Sequence, residues 1–360
     1  MHKTSSSLYY SLGVMSGTSL DGVDLCLSKF MIQSGRWEFE ILKSETIPYN
    51  LNWKEKLSSA ISLSWSDLLT LDFEYGNFLG TLISDFCEKH QIKPQIIGSH
   101  GHTVHHKPEL GYTIQIGNGN CIAKITGVDT VFDFRSKDVS LKGQGAPLVP
   151  IGDQLLFPEY KCCINLGGFA NLSVKSTKHD IIAYDICALN VVLNYLSSKD
   201  NKEYDEDGIM ASKGNLIPEL YEKLNKIPFY KSRPPKSLGI EWVNENIFPI
   251  INNFLPTHKL FDIINTYTTH AANEISKALP PNNHCLITGG GAYNKYLIST
   301  LSDYYNGEII IPDDKLISFK EALIFAFLGV LRIRNEVNVL ASVTGAKENS
   351  VSGLIARKSK

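Results

Sequence analysis

A strand, a glycine turn and a second strand occur twice in this chain, with Gly17 and Gly167 standing 150 residues apart. The run from Tyr9 to Val14 reads as a strand; SGTSLDG turns it, and VDLCLSKFMI and WEFEILKSETI continue as strands of a meander. KCCINLGGFANLSVKS then repeats strand, Gly-rich turn and strand, and IIAYD supplies a third strand. That spacing is what one β-β-β-α-β-α unit used twice would give.

The segments between fit the same plan. Residues 53–91 carry helical periodicity through Leu68, Leu71, Phe78, Leu79, Leu82, Ile83 and Phe86. The strands QIIGS and TIQIG, a helix near 120–127 and the strand TVFDF follow. In the second half come a helix near 188–198, a polar segment with two prolines (KSRPPKSLG), a long helix at 259–279 and the strand CLITG. A GGG turn, a helix at 293–305, the strand EIIIP and a helix at 318–334 complete it. The tail from NVLASVTGA onward reads as a loop with room for one return strand.

Length suits two units, since 360 residues is more than twice the roughly 150 residues of an average domain. At 43 % apolar and 20 % charged residues, disordered, collagenous and low-complexity classes drop out. The 35 basic and 37 acidic residues nearly cancel, so no global field gathers nucleic acid or an anionic membrane surface; any anion must be bound locally. No apolar run approaches ~18 residues, and LYYSLGVM enters a Gly/Ser turn without a small-residue cleavage site. Neither a membrane span nor a signal peptide is expected. Seven cysteines without a CxxC pair are expected to be buried thiols of a reducing cytosol, not a disulfide framework or a zinc site.

The first chemical candidate is the turn Ser16, Gly17, Thr18, Ser19, Leu20, Asp21, Gly22, Val23, Asp24. Its glycines allow close backbone approach, its amides and hydroxyls suit phosphate oxygens, and its carboxylates suit a cation held through water. Alone, it reads as a hairpin turn built from ordinary turn residues. Gly167, Gly168 and Asn171 repeat the geometry, and Gly289, Gly290 and Gly291 offer a further close approach where a strand meets a helix N-terminus. Neither a Walker A sequence nor G-x-G-x-x-G follows any strand, so P-loop and Rossmann readings lose their support. His100, His102, His105 and His106 allow two readings from the residues alone, surface histidines and a zinc set.

A strand-turn-strand phosphate clamp used twice, with a late GGG turn, resembles the actin/hexokinase/heat-shock-ATPase superfamily. Within it, GVMSGTSLDGVD (13–24), GSHGHTVHHKP (98–108), TIQIGNGNCIAKITG (113–127), DFRSKDVSLKGQGAPLVP (133–150), INLGGFANLS (164–173), ITGGGAYN (287–294) and ASVTGA (341–346) resemble the anhydro-N-acetylmuramic acid kinase family over nearly the whole chain. The resemblance implies an α/β fold of two duplicated actin-like (ribonuclease H-like) domains with a nucleotide cleft between them. The division expected is residues 1–130 plus 338–360 for the first domain and 131–337 for the second. It also implies a cytoplasmic transferase that uses ATP and Mg²⁺ to open and phosphorylate 1,6-anhydro-N-acetylmuramic acid, giving N-acetylmuramic acid 6-phosphate in peptidoglycan recycling. No nucleic-acid or membrane partner is expected, and a homodimer is left open.

Residue by residue, Asp185 in AYDICALN aligns with the family's water-activating base; read without the family, it is a helix N-cap. The three glycine turns are assigned to ATP, with Asp21 and Asp24 holding Mg²⁺ through water. His100, Thr103, Arg135 and Glu321 are assigned to the sugar, Arg135 for its lactyl carboxylate. For Arg135 the competing reading is an ion pair with Asp133 or Asp138, and for Glu321 a favourable place in a first helical turn. EYDEDG (203–208) reads as a solvated acidic loop. The family's Gly-Pro pair after the base is Cys187-Ala188 here, a later acidic residue is replaced by Asn194, and Lys142 stands where glycine is usual. Those departures motivate a rival, a non-catalytic ATP-binding homologue; the histidines motivate another, a zinc hydrolase.

Overall fold

A computed structural model describes residues 7–17, 20–176, 181–234 and 236–358. The chain divides into two compact units, Met1–Phe157 with Phe319–Lys360, and Pro158–Ser318.

The first unit opens with β1 (Ser7–Ser16), β2 (Gly22–Gln33) and β3 (Arg36–Pro48), an antiparallel meander. Ser34 and Gly35, both at positive φ, make the two-residue turn whose twist suits a tight hairpin between β2 and β3. Helices α1 (Leu51–Ser59) and α2 (Trp65–His90) follow, then β4 (Ile96–Ser99), β5 (His102–Lys107), β6 (Tyr112–Ile116), α3 (Gly119–Thr126), β7 (Thr130–Phe132), α4 (Ser136–Ser140) and α5 (Pro150–Leu156). Ser64 caps α2 by accepting the Asp67 N–H, and Gln91 ends it in the left-handed region. The expected stripe is buried at Leu68, Leu71, Leu79, Ile83 and Phe86, each contributing roughly 2 kcal/mol of apolar burial. Phe78 and Leu82 lie at its half-buried margin.

The second unit holds β8 (Cys162–Leu166), β9 (Phe169–Lys175), β10 (Ile181–Ala188), α6 (Asn190–Ser197) and the short helices α7 (Ile209–Ser212), α8 (Pro218–Asn225), α9 (Ile240–Asn246) and α10 (Phe248–Phe254). The helix α11 (Leu260–Ala278), β11 (His284–Thr288), α12 (Lys295–Tyr304) and β12 (Glu308–Ile310) complete it. After α13 (Asp314–Ile333) and α14 (Ala341–Thr344), β13 (Leu354–Ala356) is the return strand, antiparallel to β7.

The duplication is explicit in strand order. One sheet runs β3-β2-β1-β4-β7 with β13 added at its edge, the other β10-β9-β8-β11-β12. In both, an antiparallel meander is extended by two parallel strands. Glycine decides how closely a helix can lie on the first sheet: a Cβ on Gly13 would fall 1.7 Å from the Ala322 carbonyl oxygen, and one on Gly98 2.1 Å from that of Phe325.

The expected domain boundaries at 130/131 and 337/338 differ from the divisions at 157/158 and 318/319. The strand β7 is hydrogen-bonded to β4, and residues 322–329 lie against Gly13 and Gly98, so both segments count with the first sheet. The cysteine expectation needs correcting as well. Cys162 and Cys285 face each other across β8 and β11 with Cα atoms 5.0 Å apart and form a disulfide. The thiols are Cys26, Cys87, Cys121, Cys163 and Cys187. Among the described residues no helix is long and apolar enough to cross a membrane.

Candidate active site

The β1–β2 turn leaves the sheet at Gly17, whose carbonyl accepts the Leu20 N–H, with Leu20 at φ 59°. Thr18 and Ser19 lie outside the described residues. Val23 points into the core, so only its backbone is available to a ligand. A Cβ on Gly22 would fall 2.5 Å from the Ile47 carbonyl oxygen. Asp24 pairs with Thr46 across β2 and β3, and the Thr46 hydroxyl donates to Asp24 Oδ1 at 2.6 Å. Burial raises the Asp24 pKa, Thr46 opposes this, and neighbouring Asp21 reinforces it.

Arg135 stands just before α4. Its Nε and Nη2 donate to His100 Nε2 at 3.1 and 2.8 Å, and its Nη1 donates to the Gly145 carbonyl at 2.6 Å. His100 Nδ1 meets the Gly101 carbonyl at 2.9 Å, which puts the ring proton on Nδ1 and leaves Nε2 as the acceptor. Burial first, then the Arg135 charge, hold the His100 pKa well below its usual value, in keeping with a neutral ring. Burial lowers the Arg135 pKa to about 10, opposed by Glu321 and Asp138, so the guanidinium is still a cation at neutral pH. No Arg135 ion pair occurs among the described residues: Asp133 accepts the Ser136 N–H, and Asp138 accepts from Gly145 and Thr344. The Arg–Asp reading therefore fails. Two of the five guanidinium N–H groups have no acceptor among the described residues, which is the arrangement a carboxylate ligand would complete.

Glu321 sits two turns into α13, so a first-turn dipole position does not explain it. Its side chain reaches solvent, yet desolvation by the protein around it raises its pKa, with Arg135 opposing and Asp24 reinforcing. Thr103 lies on β5, its hydroxyl accepting weakly from Gln115 Nε2 at 3.4 Å. The turn before α5 answers to geometry too. Lys142 is at φ 70° and exposed, a backbone state in which glycine is unstrained.

The four histidines go to separate partners. His102 Nδ1 meets Ser16 Oγ at 3.2 Å, Ser16 Oγ meets Tyr49 OH at 2.7 Å, and Tyr49 OH is hydrogen-bonded to Tyr75 OH. His105 stacks edge-on to Tyr112, and His106 Nδ1 lies 3.1 Å from Thr113 Oγ1. No group of three His, Cys, Asp or Glu side chains among the described residues is arranged to hold a metal. With its ligands dispersed, the zinc-hydrolase reading loses its basis.

Three buried histidines give a pH prediction. Burial lowers the pKa of His102 to about 4 and that of His270 to about 3, and His100 shifts the same way. Between roughly pH 6.5 and 4 the unfolded chain binds protons that the folded one does not, so stability falls as pH drops through that window. Each histidine contributes up to about 1.4 kcal/mol per pH unit. Urea midpoints measured from pH 7 to 4.5 should decline, and His102→Gln should flatten the slope; a midpoint independent of pH would contradict the assignment.

In the second sheet, Asp185 on β10, Asn171 on β9 and Asn165 on β8 occupy one register row, which directs their side chains to one face. Asp185 Oδ2 accepts the Leu238 N–H at 2.8 Å, and its own N–H donates to the Lys236 carbonyl. Burial raises its pKa, with the Leu238 N–H opposing. The N-cap alternative is overturned: β10 runs on to Ala188, and the first α6 amides donate to the Gly167 and Gly168 carbonyls. Gly289, at φ 84°, admits no side chain, since a Cβ would lie 2.2 Å from Asn165 Oδ1. At Gly290 the nearest atom would be Asn190 Nδ2 at 3.8 Å, so that face of the turn is open. The GGG turn does not lead straight into a helix N-terminus: Gly290–Tyr293 form a 3₁₀ turn, and Asn294 caps α12 by accepting the Leu297 N–H. In EYDEDG, Asp205 is buried and accepts the Met210 and Ala211 N–H groups, which corrects the solvated-loop expectation at that residue.

Sequence reasoning missed Asn165, Asn190, Tyr49 and Thr344. Asn165 carried a signal, as the one polar residue of an apolar strand beside a glycine turn. Tyr49 carried none, because only the fold brings it to Ser16, and Thr344, although inside ASVTGA, gave no sign of its partner Asp138.

A family model described as anhydro-N-acetylmuramic acid kinase matches residues 9–358. Proteins named anhydro-N-acetylmuramic acid kinase are similar over most of the chain. That of Actinobacillus pleuropneumoniae serotype 3 is 35 % identical over 367 residues, covering 96 % of this chain and 98 % of the relative. That of Mannheimia succiniciproducens is 33 % identical over 377 residues, covering 97 % and 99 %. Among solved structures, the (R)-2-hydroxyglutaryl-CoA dehydratase component A of Acidaminococcus fermentans matches with a TM-score of 0.43 at 14 % identity, covering 89 % of this chain and 97 % of that one. Hexokinase from Schistosoma mansoni matches with a TM-score of 0.37 at 12 % identity, covering 90 % and 87 %.

Proposed function

The chain belongs to the anhydro-N-acetylmuramic acid kinase family, and on that premise we propose that it is an ATP-dependent kinase converting 1,6-anhydro-N-acetylmuramic acid to N-acetylmuramic acid 6-phosphate in peptidoglycan recycling. The observation that carries this is similarity at about a third identity over nearly the whole of both chains. The cytoplasm, where ATP is supplied, is the compartment that suits the reaction.

In the reaction, water attacks the anomeric carbon, the bond from that carbon to O6 breaks, and O6 takes the γ-phosphoryl group of ATP. A base must accept the proton of the water. Asp185 is proposed for that task. The Leu238 N–H holds its Oδ2 and leaves Oδ1 without a hydrogen bond among the described residues, and Asn171 and Asn165 continue the same row toward the glycine turns. Gly17 to Asp24, Gly167, Gly168, Asn171 and Gly289 to Gly291 are proposed to contact ATP through backbone amides and short polar side chains, as phosphates require. Arg135 is proposed for the lactyl carboxylate, with Thr103 and Glu321 near the sugar. His100 holds Arg135 in place with both ring nitrogens occupied, so it reaches the sugar through that residue.

Asp21 and Asp24 are proposed to hold Mg²⁺ through water. The residues fit, since Asp24 keeps one oxygen free of Thr46 and the two carboxylates repel each other, a cost that a cation would relieve. When bound, the ion would offset negative charge on the phosphates.

Incubation with the anhydro-sugar, ATP and Mg²⁺ should yield equimolar ADP and N-acetylmuramic acid 6-phosphate, with ¹⁸O from labelled water entering the anomeric hydroxyl. ATP binding without sugar-dependent ADP would overturn the proposal and favour a non-catalytic homologue.

A further inference from the structure

We infer that Asp138 and Thr344 are positioning residues for Arg135, fixing the plane of its guanidinium for the carboxylate of the sugar; this rests on the reading of Arg135 given above. Asp138 is 0 % exposed, and both of its oxygens are used within the protein. The Thr344 hydroxyl donates to Oδ1 at 2.7 Å and the Gly145 N–H to Oδ2 at 2.8 Å. The same residue, through its following peptide unit, presents the Gly145 carbonyl to Arg135 Nη1 at 2.6 Å. Asp138 thus makes no ion pair with Arg135 and acts on it through one glycine.

The glycines on either side of Gln144 are what let the chain wrap this carboxylate. A Cβ on Gly143 would fall 2.2 Å from Asp138 Oδ2, and Gly145 has φ 69° with Val139 2.8 Å from where its Cβ would stand. Thr344 reaches the turn a second time, its carbonyl accepting the Gln144 N–H at 2.8 Å. The segments DFRSKDVSLKGQGAPLVP and ASVTGA, 206 residues apart at Asp138 and Thr344, therefore close on one another around a buried carboxylate. On the far side of the guanidinium, His100 Nε2 accepts from Nε and Nη2. Two anchors on opposite edges fix a planar group, leaving its remaining N–H bonds at a set angle. A bidentate carboxylate contact is sensitive to that angle. Loosening one anchor should weaken carboxylate binding more than it slows the chemistry, because the contact is held in ground and transition states alike.

The test is Thr344→Val, which keeps shape and deletes the hydroxyl. The expected result is a rise of about tenfold in KM for the anhydro-sugar, with kcat falling no more than about twofold and KM for ATP unmoved. Thr344→Ser should restore the sugar KM to within about twofold of wild type. With an anhydro-sugar lacking the lactyl group, Thr344→Val and wild type should behave alike. Should Thr344→Val fold poorly, Asp138→Asn provides the same comparison. An unchanged sugar KM in Thr344→Val while Arg135→Lys raises it would overturn the inference and leave the Arg135 reading standing. An unchanged sugar KM in both would overturn both. A fall in kcat with both KM values unmoved would make Thr344 merely structural and would also reject it.

Discussion

Asp185→Asn is expected to lower turnover at saturating sugar and ATP by about 10²–10⁴-fold, the range in which a positioned general base contributes. Asparagine fills the same volume and keeps an acceptor for the Leu238 N–H, so the local structure has no reason to change. The alternative role, capping a helix, is closed, because the amides at the start of α6 are already taken by Gly167 and Gly168. A small defect would therefore have no structural excuse and would mean that another group accepts the proton. The pH profile adds a second reading. Burial raises the Asp185 pKa above the ordinary aspartate value, and only the ionised form acts as a base. Wild-type kcat should rise with pH through an acid limb displaced upward from that value, and the residual activity of Asp185→Asn should lack this limb. Nucleotide affinity, measured separately, should be unaltered; turnover within a few-fold of wild type would dismiss Asp185 as the base.

The fold was legible where periodicity and turn chemistry agree. Both meanders, the stripe of α2 and the late helix–strand alternation stand in the structure as the sequence suggests, because each is set by local pattern. Of the hairpin β5–β6, the strand TIQIG was legible and β5 was not. HTVHHK, three of its six residues histidine and one lysine, lacks the composition of a strand, although Val104 joins Ile116 in the core while His106 and Thr103 meet Thr113 and Gln115 on the polar side. The four short helices between Ile209 and Phe254 were hidden for a similar reason: each is too short to show a period and is held by packing.

At the site, residue types were legible and partnerships were not. The spacing that singles out Arg135 cannot say whether Asp133, Asp138 or a ligand answers its charge. The structure gives both aspartates to backbone amides, and Asp138 to Thr344 as well. The histidine cluster misleads in the opposite direction, since adjacency in sequence suggests a common ligand while a strand hairpin sends the side chains apart. Lys142 is a third case. It sits at φ 70°, a left-handed torsion that suits the glycine expected there from the resemblance and that no propensity scale reports for a single site.

Arg135→Gln should raise KM for the anhydro-sugar by about 10²-fold or more, since two charge-assisted hydrogen bonds at roughly 1.5–3 kcal/mol each would be lost. Arg135→Lys should do little better, because a point charge cannot reproduce the fork. The effect on stability should run differently. In the free protein Arg135 is a half-buried cation without an ion pair among the described residues, a state that costs desolvation energy. Glutamine removes that cost and keeps one donor for the Gly145 carbonyl or His100, so the unliganded melting temperature should change little. The difference should appear only when sugar is added. Ligand binding stabilises by RT ln(1 + [L]/Kd), so at a fixed sugar concentration the wild type should gain several degrees and Arg135→Gln almost none. An anhydro-sugar without the lactyl group should give the two proteins equal, small shifts. If instead Arg135→Gln melts several degrees lower without ligand and keeps the full sugar-induced shift, Arg135 serves the fold, and the carboxylate of the sugar is held elsewhere.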